Sequence, residues 1–458
     1  MSMAYGRSAN CSWAVACLVL VQWVTWAVAP WVSWAFAPLW PQIAVSYVAH
    51  VGRRVELVPA RLHSLANCRL RGSLTMRAKG DADMLSERDM TVMLSKTPSA
   101  PALMSTLESI LDGPVFNYYH AGTIFNKLAK LQDSISERER HHAQLKALIK
   151  RVDRMLLVGG VNCRSTCNIF WSVAKLRSKL PEAQQLVPSL VEALKLHSAL
   201  DFDSQGLANS LWSCATLRLP RNQTGELLPL LAEGVFMHMD AMKAQELANI
   251  FWATAVMKHD APELLDLMPT LQEGLPCLHE KMNPQEVANV IWALGQTRLQ
   301  VAVDFQSLKL LIASAAKFLD RFNGQELANL CWGLALCNFQ DCDFMRKVAS
   351  ETARRSPSWS NKAAKLDLPQ IACSFAKAKI HHPAMLVAIA KRILPNLKIL
   401  TDWGLCAMLW SYDVLDTDGR FCDFRDQIHI EVSKRSLSAS DVTSSQHGPE
   451  SWTRRSNG

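Results

Sequence analysis

The chain has little of what marks fibrous, disordered or disulfide-rich proteins. Its 458 residues include 19 glycines and 20 prolines, too few for a collagen-like or proline-rich fibre. Charged residues are 20% of the chain and hydrophobic residues 49%, a balance that argues against wholesale disorder. The 13 cysteines are an odd number, thinly spread, which argues against a disulfide-stapled secreted scaffold and favours buried, reduced thiols.

Motifs of metal binding and catalysis are also missing. The sequence has no C-x-x-C, H-E-x-x-H or G-x-S-x-G motif and no glycine fingerprint of a dinucleotide fold. Cys163 and Cys167 form a C-x-x-x-C, but Cys167 falls where the repeats described below have alanine, so we interpret both as core residues. We therefore expect no metal site, no cofactor and no catalytic residues, and we expect that the protein is not an enzyme.

Positive charge is unevenly distributed. The formal net charge is +8, but residues 1–80 hold eight basic residues and one acid, so the remaining chain has 41 basic and 40 acidic residues. Within it, residues 127–180 hold 12 basic and 4 acidic groups, 181–342 hold 10 and 18, and 343–400 hold 11 and 3. This pattern predicts either a polyanion held at two basic ends or ordinary solvated helix faces.

The first 80 residues have the composition of a targeting leader. From Ser8 to Gly52 there is no charged residue, and Cys11–Ala29 is about long enough to span a bilayer. Residues 53–79 are arginine-rich and acid-poor, as in transit peptides. Because this order resembles the two-part leaders of complex plastids, we predict plastid import and membrane contact only through the leader. A mitochondrial leader, an uncleaved membrane anchor and a wrongly extended gene model are the alternatives.

A segment with a tryptophan anchor recurs about every 40 residues. The clearest copies read QGLANSLWSCATLRL, QELANIFWATAVMKH, QEVANVIWALGQTRL and QELANLCWGLALCNF. With one upstream copy, the anchors are Trp171, Trp212, Trp252, Trp292 and Trp332. Degenerate copies place Asn126, Phe375 and Trp410 in the anchor position, which makes eight copies in all. Such a period predicts a helical-repeat solenoid, whose end units are expected to be atypical.

Each copy predicts two helices. The second carries the motif and should begin after Asp203, Asn283 or Asn323; the two asparagines precede a glutamate by three residues, as in a capping box. Its nearly continuous apolar character predicts the buried layer. The first helix, more amphipathic, opens near a proline in three copies, at Pro188, Pro229 and Pro269.

Two rows of amide side chains accompany the anchors. Asparagines lie one turn before the tryptophans, at Asn168, Asn209, Asn249, Asn289 and Asn329. We interpret them as structural anchors that hydrogen-bond between stacked units, with contact to a nucleobase as the alternative. Glutamines lie in the first turn of the motif helix, at Gln205, Gln245, Gln285 and Gln325. Contact with a base edge and support of the helix cap are both open for this row.

A basic row follows the anchors by six residues, at Arg177, Arg218, Lys258 and Arg298. Cations at this point meet the negative end of the motif helix, and a row of them along a solenoid also forms a stripe for phosphates. Both interpretations stay open, with phosphate contact slightly favoured. Asn338 and His381 interrupt the row, and Asp416 reverses its sign.

At the QELANxxWAxA core the sequence resembles the octotricopeptide-repeat family and the related heptatricopeptide repeats, over roughly residues 120–415. This resemblance implies an organellar RNA-binding protein that acts in RNA processing, stability or translation, together with organellar processing or translation proteins as partners. Many members of the family carry a C-terminal RAP domain; because the end of this chain is short, polar and serine-rich, we expect that domain to be absent here.

The sequence thus predicts an all-α, right-handed α-solenoid of about eight two-helix repeats. The expected organisation is a leader over 1–80, a linker over 81–115, the solenoid over 116–430 and a disordered tail over 431–458. The expected function is sequence-selective binding of single-stranded RNA, with phosphates on the basic row and bases on the glutamines. The alternative is a protein–protein scaffold of the HEAT or armadillo kind.

Overall fold

Helices are the only regular elements in the part of the chain that the computed structural model describes, residues 86–140, 142–339 and 341–449. The all-α fold class is confirmed. The predicted leader lies outside these residues. In chain order the α-helices are α1 (Glu87–Lys96), α2 (Ala100–Ile110), α3 (Tyr118–Lys130), α4 (Glu137–Arg140), α5 (Ala143–Val158), α6 (Cys163–Lys175), α7 (Val187–Lys195), α8 (Ser204–Leu217), α9 (Arg221–Thr224), α10 (Leu227–His238), α11 (Ala244–Met257), α12 (Met268–Glu273), α13 (Leu275–Leu278), α14 (Pro284–Thr297), α15 (Phe305–Lys317), α16 (Gly324–Leu336), α17 (Cys342–Arg355), α18 (Asn361–Ala378), α19 (Pro383–Ile393), α20 (Asp402–Leu415), α21 (Cys422–Lys434) and α22 (Ala439–Ser444).

The helices that carry the repeat pack against one another in chain order. These motif helices are α3, α6, α8, α11, α14, α16, α18 and α20, and each contacts the next. Helix α1 contacts α3 in the same way. The intervening helices form a second set of contacts, with α5 on α7, α7 on α10 and α17 on α19. Leucine or valine at one equivalent position is fully buried in four successive motif helices, at Leu207, Leu247, Val287 and Leu327.

The capping residues read from the sequence start the motif helices as predicted. The Asn283 side chain accepts a hydrogen bond from the Glu286 amide at 3.0 Å, and Glu286 accepts one from the Asn283 amide at 2.9 Å. Asn323 and Glu326 form the same reciprocal pair, and Asp203 accepts from the Gly206 amide at 2.7 Å. These bonds satisfy amides that the first turn leaves without helical partners.

The register of α18 differs from the predicted one by two residues. The sequence pattern puts Phe375 in the anchor position, but the hydrogen bonds place Cys373 there. The Ser374 hydroxyl donates to the Gln370 carbonyl, as Ser213 donates to Asn209. The helix also ends on a left-handed residue, Lys379 (φ 55°), six positions after Cys373. Arg218 and Asn338 end their helices in the same conformation, six positions after their anchors. The prediction is wrong because it aligns aromatic residues with aromatic residues, whereas Phe375 belongs to the fully buried core.

Two predicted boundaries are wrong within the described residues. The predicted linker, 81–115, holds α1 and α2, whose apolar side chains are buried, including Leu94, Leu103 and Leu107. The predicted disordered tail, 431–458, holds the end of α21, then α22 and a 3₁₀ turn over Ser445–His447. Its serine-rich composition suggests disorder, but these serines cap and buttress short helices.

Helices α14 and α16 approach each other through glycine. A Cβ on Gly333 would overlap the carbonyl of Ile291, and one on Gly295 would lie 2.7 Å from the Gly333 oxygen. Since both obstacles are backbone atoms, neither helix can yield by a rotamer change. The absence of side chains at these two positions therefore sets the separation of the two helices.

We expect Gly333→Ala to destabilise the fold by about 1–3 kcal/mol, because the methyl group forces two packed helices apart. Gly122→Ala in α3 is the matched control: its Cβ would sit 3.9 Å from Ser165, an ordinary contact, and alanine favours the helix by up to about 1 kcal/mol. Urea unfolding followed by circular dichroism measures both variants. Equal stability of the two would contradict the close approach.

Candidate nucleic-acid interface

Glutamine, asparagine and tryptophan of each motif helix share one face of that helix. In α8 they are Gln205, Asn209 and Trp212, spaced four and three residues apart, which brings side chains onto the same side of a helix. The glutamines of α8, α11, α14 and α16 are exposed, and the asparagines are half-buried. We name this surface the Gln–Asn–Trp face, formed by Gln205, Gln245, Gln285, Gln325, Asn168, Asn209, Asn249, Asn289, Asn329, Trp171, Trp212, Trp252, Trp292 and Trp332.

The first three tryptophans form a continuous aromatic row. The ring centroids of Trp171 and Trp212 lie 6.4 Å apart at an interplanar angle of 40°, and those of Trp212 and Trp252 lie 6.3 Å apart at 34°. All three side chains are half-buried, so part of each indole borders solvent. Exposed aromatic surface is what nucleobases stack on, and it accepts any of the four bases.

The expected hydrogen bond between the side-chain amides of neighbouring units is present at one end of the asparagine row. Gln370 of α18, which takes the asparagine position in the corrected register, donates through Nε2 to Oδ1 of Asn329 at 3.4 Å. The asparagines of α6, α8, α11, α14 and α16 are half-buried rather than fully buried. Their amides therefore border the same solvent-facing surface as the indoles.

The basic row lies at the C-terminal ends of the motif helices and bonds to their carbonyl groups. Arg177 donates to the Ala174 carbonyl at 3.3 Å and Arg298 to that of Gly295 at 2.9 Å. Lys258 donates to the Gln296 carbonyl of the next motif helix at 2.6 Å. A residue six positions after the anchor is turned by about 120° from it around the helix axis.

The fourth member of the row, Arg218, is exposed and ends α8 in the left-handed conformation. The basic row thus places cations at helix C-termini, where the negative end of the helix dipole stabilises them. A guanidinium has five N–H donors, so the arginines that bond a carbonyl keep donors for an anion.

The corrected register adds a cation to this row. Lys379 stands six positions after Cys373 and ends α18 in the same left-handed conformation as Arg218. The sequence pattern puts His381 here, as a break in the row. The helix-end hydrogen bonds, from the amides of Lys379 and Ile380 to Ala376 and Phe375, are the feature that the sequence does not show.

A polar basin of 740 Å³ extends the Gln–Asn–Trp face beyond its first tryptophan, Trp171. It lies between α1, α3 and α6 and is lined by Arg88, Tyr119, Asn126, Lys130, Arg164 and Asn168, among others. Lys127 also lines it, while Glu87 is the acid among the lining residues. Asn126 occupies the anchor position of α3, so an amide replaces the indole here. The basin therefore suits an anionic group better than a stacked base.

Sequence reasoning missed the contribution of α1 to this basin, because its residues fall in the predicted linker. The sequence does contain a signal, because the capping residue precedes the anchor by nine positions. Asn162 precedes Trp171 by nine, and Asp203 precedes Trp212 by nine. Ser86 and Ser95 keep this spacing, and Ser95 lines the basin from the anchor position of α1. Serine in place of tryptophan conceals the match.

The C-terminal segment covers the opposite end of the Gln–Asn–Trp face. A small cavity of 230 Å³ is lined by Trp252, Trp292 and Trp332, together with residues of the chain end, His447, Gly448 and Pro449. Trp292 is 8% exposed and Trp332 2% exposed. The tryptophan row is therefore open at its N-terminal members and covered at its C-terminal members.

The cysteines that the sequence assigns to the core are buried there. Cys163 and Cys167 have their sulfurs 4.0 Å apart, and Cys167 also contacts the Ser210 hydroxyl of the next motif helix. Burial raises the pKa of the Cys214 thiol to about 12, and it raises the pKa of Cys331 still further. Such thiols stay protonated near neutral pH and pack as small apolar groups.

Within the described ranges, no group of three or more histidine, cysteine or acidic side chains is placed to hold a metal ion. The same residues include no helix both long enough and apolar enough to cross a bilayer. No protein-family model matches the chain, and comparison with curated proteins gives no match.

We expect iodoacetamide at pH 8 to label the exposed thiols Cys277, Cys342 and Cys422 within minutes. Cys214 and Cys331 should stay unlabelled, because burial keeps them protonated and out of reach of the reagent. Peptide mapping by mass spectrometry gives the rates, and labelling in guanidinium chloride shows that every thiol can react. Labelling of Cys214 in the folded protein at the rate of Cys277 would contradict the packing.

Proposed function

We propose that this protein binds single-stranded RNA along the Gln–Asn–Trp face, with sequence selectivity and without chemistry of its own. The observation that carries the proposal is the alignment, on successive packed helices, of exposed glutamines and half-buried asparagines beside a row of half-buried indoles. We further propose that these helices form a right-handed solenoid of about eight units, as the 40-residue period suggests.

In this proposal the indoles bind the bases by stacking, and the glutamine amides distinguish one base from another. Bases unstacked from one another lie on the indole row, a contact worth about 1–3 kcal/mol per base and nearly indifferent to base identity. Selectivity comes from the glutamines, whose amides offer both a donor and an acceptor to a base edge. Repeat proteins of this kind read about one base per unit, so the footprint is on the order of seven nucleotides.

Phosphates are proposed to contact the two basic features. The basin supplies Arg88, Lys130 and Arg164 at one end of the face. The basic row follows the helix ends, where Arg177, Arg218, Lys258 and Arg298 recur once per unit. Arg218, Lys258 and Arg298 lie within the acidic central segment, 181–342, where they would supply positive charge to a polyanion.

The cellular setting is proposed from the leader and the repeat motif together. The arginine-rich, acid-poor segment 53–79 favours import into a plastid, with the mitochondrion as the alternative. In that setting the protein supports the processing, stability or translation of an organellar transcript, alongside processing or translation proteins. Import of the full chain fused to a fluorescent protein tests the localisation.

A protein-binding scaffold is the second candidate, and one observation favours it. The covered end of the Gln–Asn–Trp face is occupied by polypeptide, residues 447–449 of this chain, which lie against Trp332. This surface is thus able to accept an extended peptide segment as well as a base. Binding of RNA oligonucleotides without binding of peptides from a random library favours the first candidate, and the reverse result favours the second.

We expect Trp212→Ala to weaken binding of single-stranded RNA by about 1–3 kcal/mol, because it removes the central stacking surface of the open row. Trp212→Phe is the control, since it keeps an aromatic face, and it should keep most of the affinity. Fluorescence anisotropy with a selected oligonucleotide measures both. Equal affinity of the alanine variant and the unaltered protein would remove stacking from the proposal.

We expect replacement of the basic row by glutamine to flatten the dependence of log K on log salt, by up to about 0.7 for each phosphate that the variant no longer binds. Replacing Arg88, Lys130 and Arg164 should act in the same way. The control replaces four exposed cations of the intervening helices α15, α17 and α19, which are Lys309, Arg346, Lys347 and Lys391, and it should leave the slope unchanged. A row variant that behaves like this control would assign Arg177, Arg218, Lys258 and Arg298 to helix capping alone.

A further inference from the structure

The C-terminal segment Ser438–Pro449 crosses three motif helices on the side where the anchors lie. It begins as α22, capped by the Ser438 hydroxyl and packed against α20. The 3₁₀ turn Ser445–His447 then contacts α20 and α18, and Gly448 reaches Trp332 of α16. The segment thus runs back along the face, from the last motif helix towards the open tryptophans.

Ser445 anchors the C-terminal segment to the motif helices. It is fully buried, and its carbonyl accepts a hydrogen bond from Nε1 of Trp403 at 3.1 Å. The sulfur of Cys373 lies 4.0 Å from the same oxygen. A buried indole N–H needs an acceptor, and the segment supplies it.

Gly448 lies close against an anchor indole. Its φ is +94°, a conformation that side chains rarely adopt, and a Cβ there would stand 2.5 Å from Cζ2 of Trp332. Backbone atoms of the segment therefore cover the indole of Trp332, whereas the indoles of Trp171, Trp212 and Trp252 are partly exposed. Glycine is the residue that permits this contact.

The replacement of tryptophan by cysteine at the anchor of α18 makes room for the segment. Cys373 stands where α16 carries Trp332, and the thiol is in contact with the chain that passes over it. An indole in this position would occupy the space of the Ser445 turn. The break in the tryptophan row and the path of the C-terminal segment are thus parts of one arrangement.

We propose that residues Ser438–Pro449 are an intramolecular ligand of the Gln–Asn–Trp face, and that their release uncovers Trp292 and Trp332 for RNA. This inference rests on the proposed function. The helix in the segment, α22, has six residues, too few to be stable by itself, so the segment is held by its contacts with the face. RNA that needs all five indoles binds only the released state, and its apparent Kd is raised by the inverse of the released fraction.

Two variants of the full chain release the segment by different means. Gly448→Ala introduces a methyl group against Trp332, and Ser445→Asp introduces a charge into a fully buried position. Thr443→Asp is the matched control, because Thr443 is exposed in the same segment. Circular dichroism verifies that all three variants keep their helices.

Hydroxyl-radical footprinting read by mass spectrometry measures the oxidation of Trp332 relative to Trp212, with no RNA present. We expect both release variants to raise this ratio at least threefold and the control to leave it unchanged. In fluorescence anisotropy, the same two variants should bind an RNA long enough to span the five indoles on the order of tenfold more tightly. A shorter RNA that reaches only Trp171–Trp252 should bind all variants equally.

Three results would overturn the inference. An unchanged Trp332 ratio in both release variants would show that the segment is not a detachable cover. An uncovered Trp332 with unchanged affinity for the long RNA would remove the competition while leaving the proposed function intact. Absence of RNA binding by every variant, including those with Trp332 uncovered, would remove the proposed function and the competition together.

Discussion

The packing of each motif helix against the next is the constraint on which the other features depend. Buried leucine and valine fill the interior at equivalent positions, and Gly295 with Gly333 fixes the closest approach. Because each motif helix packs against the motif helices before and after it, the stripe left between these contacts can carry polar and aromatic residues in line. Tryptophans that are 40 or 41 residues apart in sequence thereby form a row whose ring centroids lie 6.3–6.4 Å apart at its open end.

The two ends of that row have different chemistry. At one end the anchors become Asn126 and Ser95, the indoles give way to an open polar basin, and cations line it. At the other end the anchor becomes Cys373, and the chain folds back to cover the neighbouring indole. In both places the repeat loses its tryptophan and the surface changes its character, so the degenerate copies change the exposed chemistry as well as ending the tryptophan row.

Local signals are enough to predict the helices and their starts. Capping residues such as Asn283 and Asn323 act within one turn, and their geometry depends only on nearby sequence. The register of α18 and the order of the chain end are beyond such signals. In its observed register, helix α18 contacts Asn329 and Ser445, which are more than forty positions away in the sequence, and no short window contains both partners.

The basic row illustrates the same limit for the candidate site. Its spacing is plain in the sequence, but the sequence does not show that Arg177, Lys258 and Arg298 each use a donor on a helix carbonyl. The exposure of the glutamines and the half-burial of the asparagines likewise follow from the position of each helix in the stack. The residue types are predictable, and their surroundings are not.

The left-handed residues at the ends of α8, α16 and α18 contribute charge or polarity without determining the fold. Arg218, Asn338 and Lys379 each hold a conformation that glycine adopts more easily, at a cost of roughly 1 kcal/mol. The backbone at these points requires no particular side chain, and any side chain other than that of glycine lowers the stability only slightly. Sequence change at the helix ends can therefore alter the charge presented to a ligand, unit by unit, while the stack beneath stays the same.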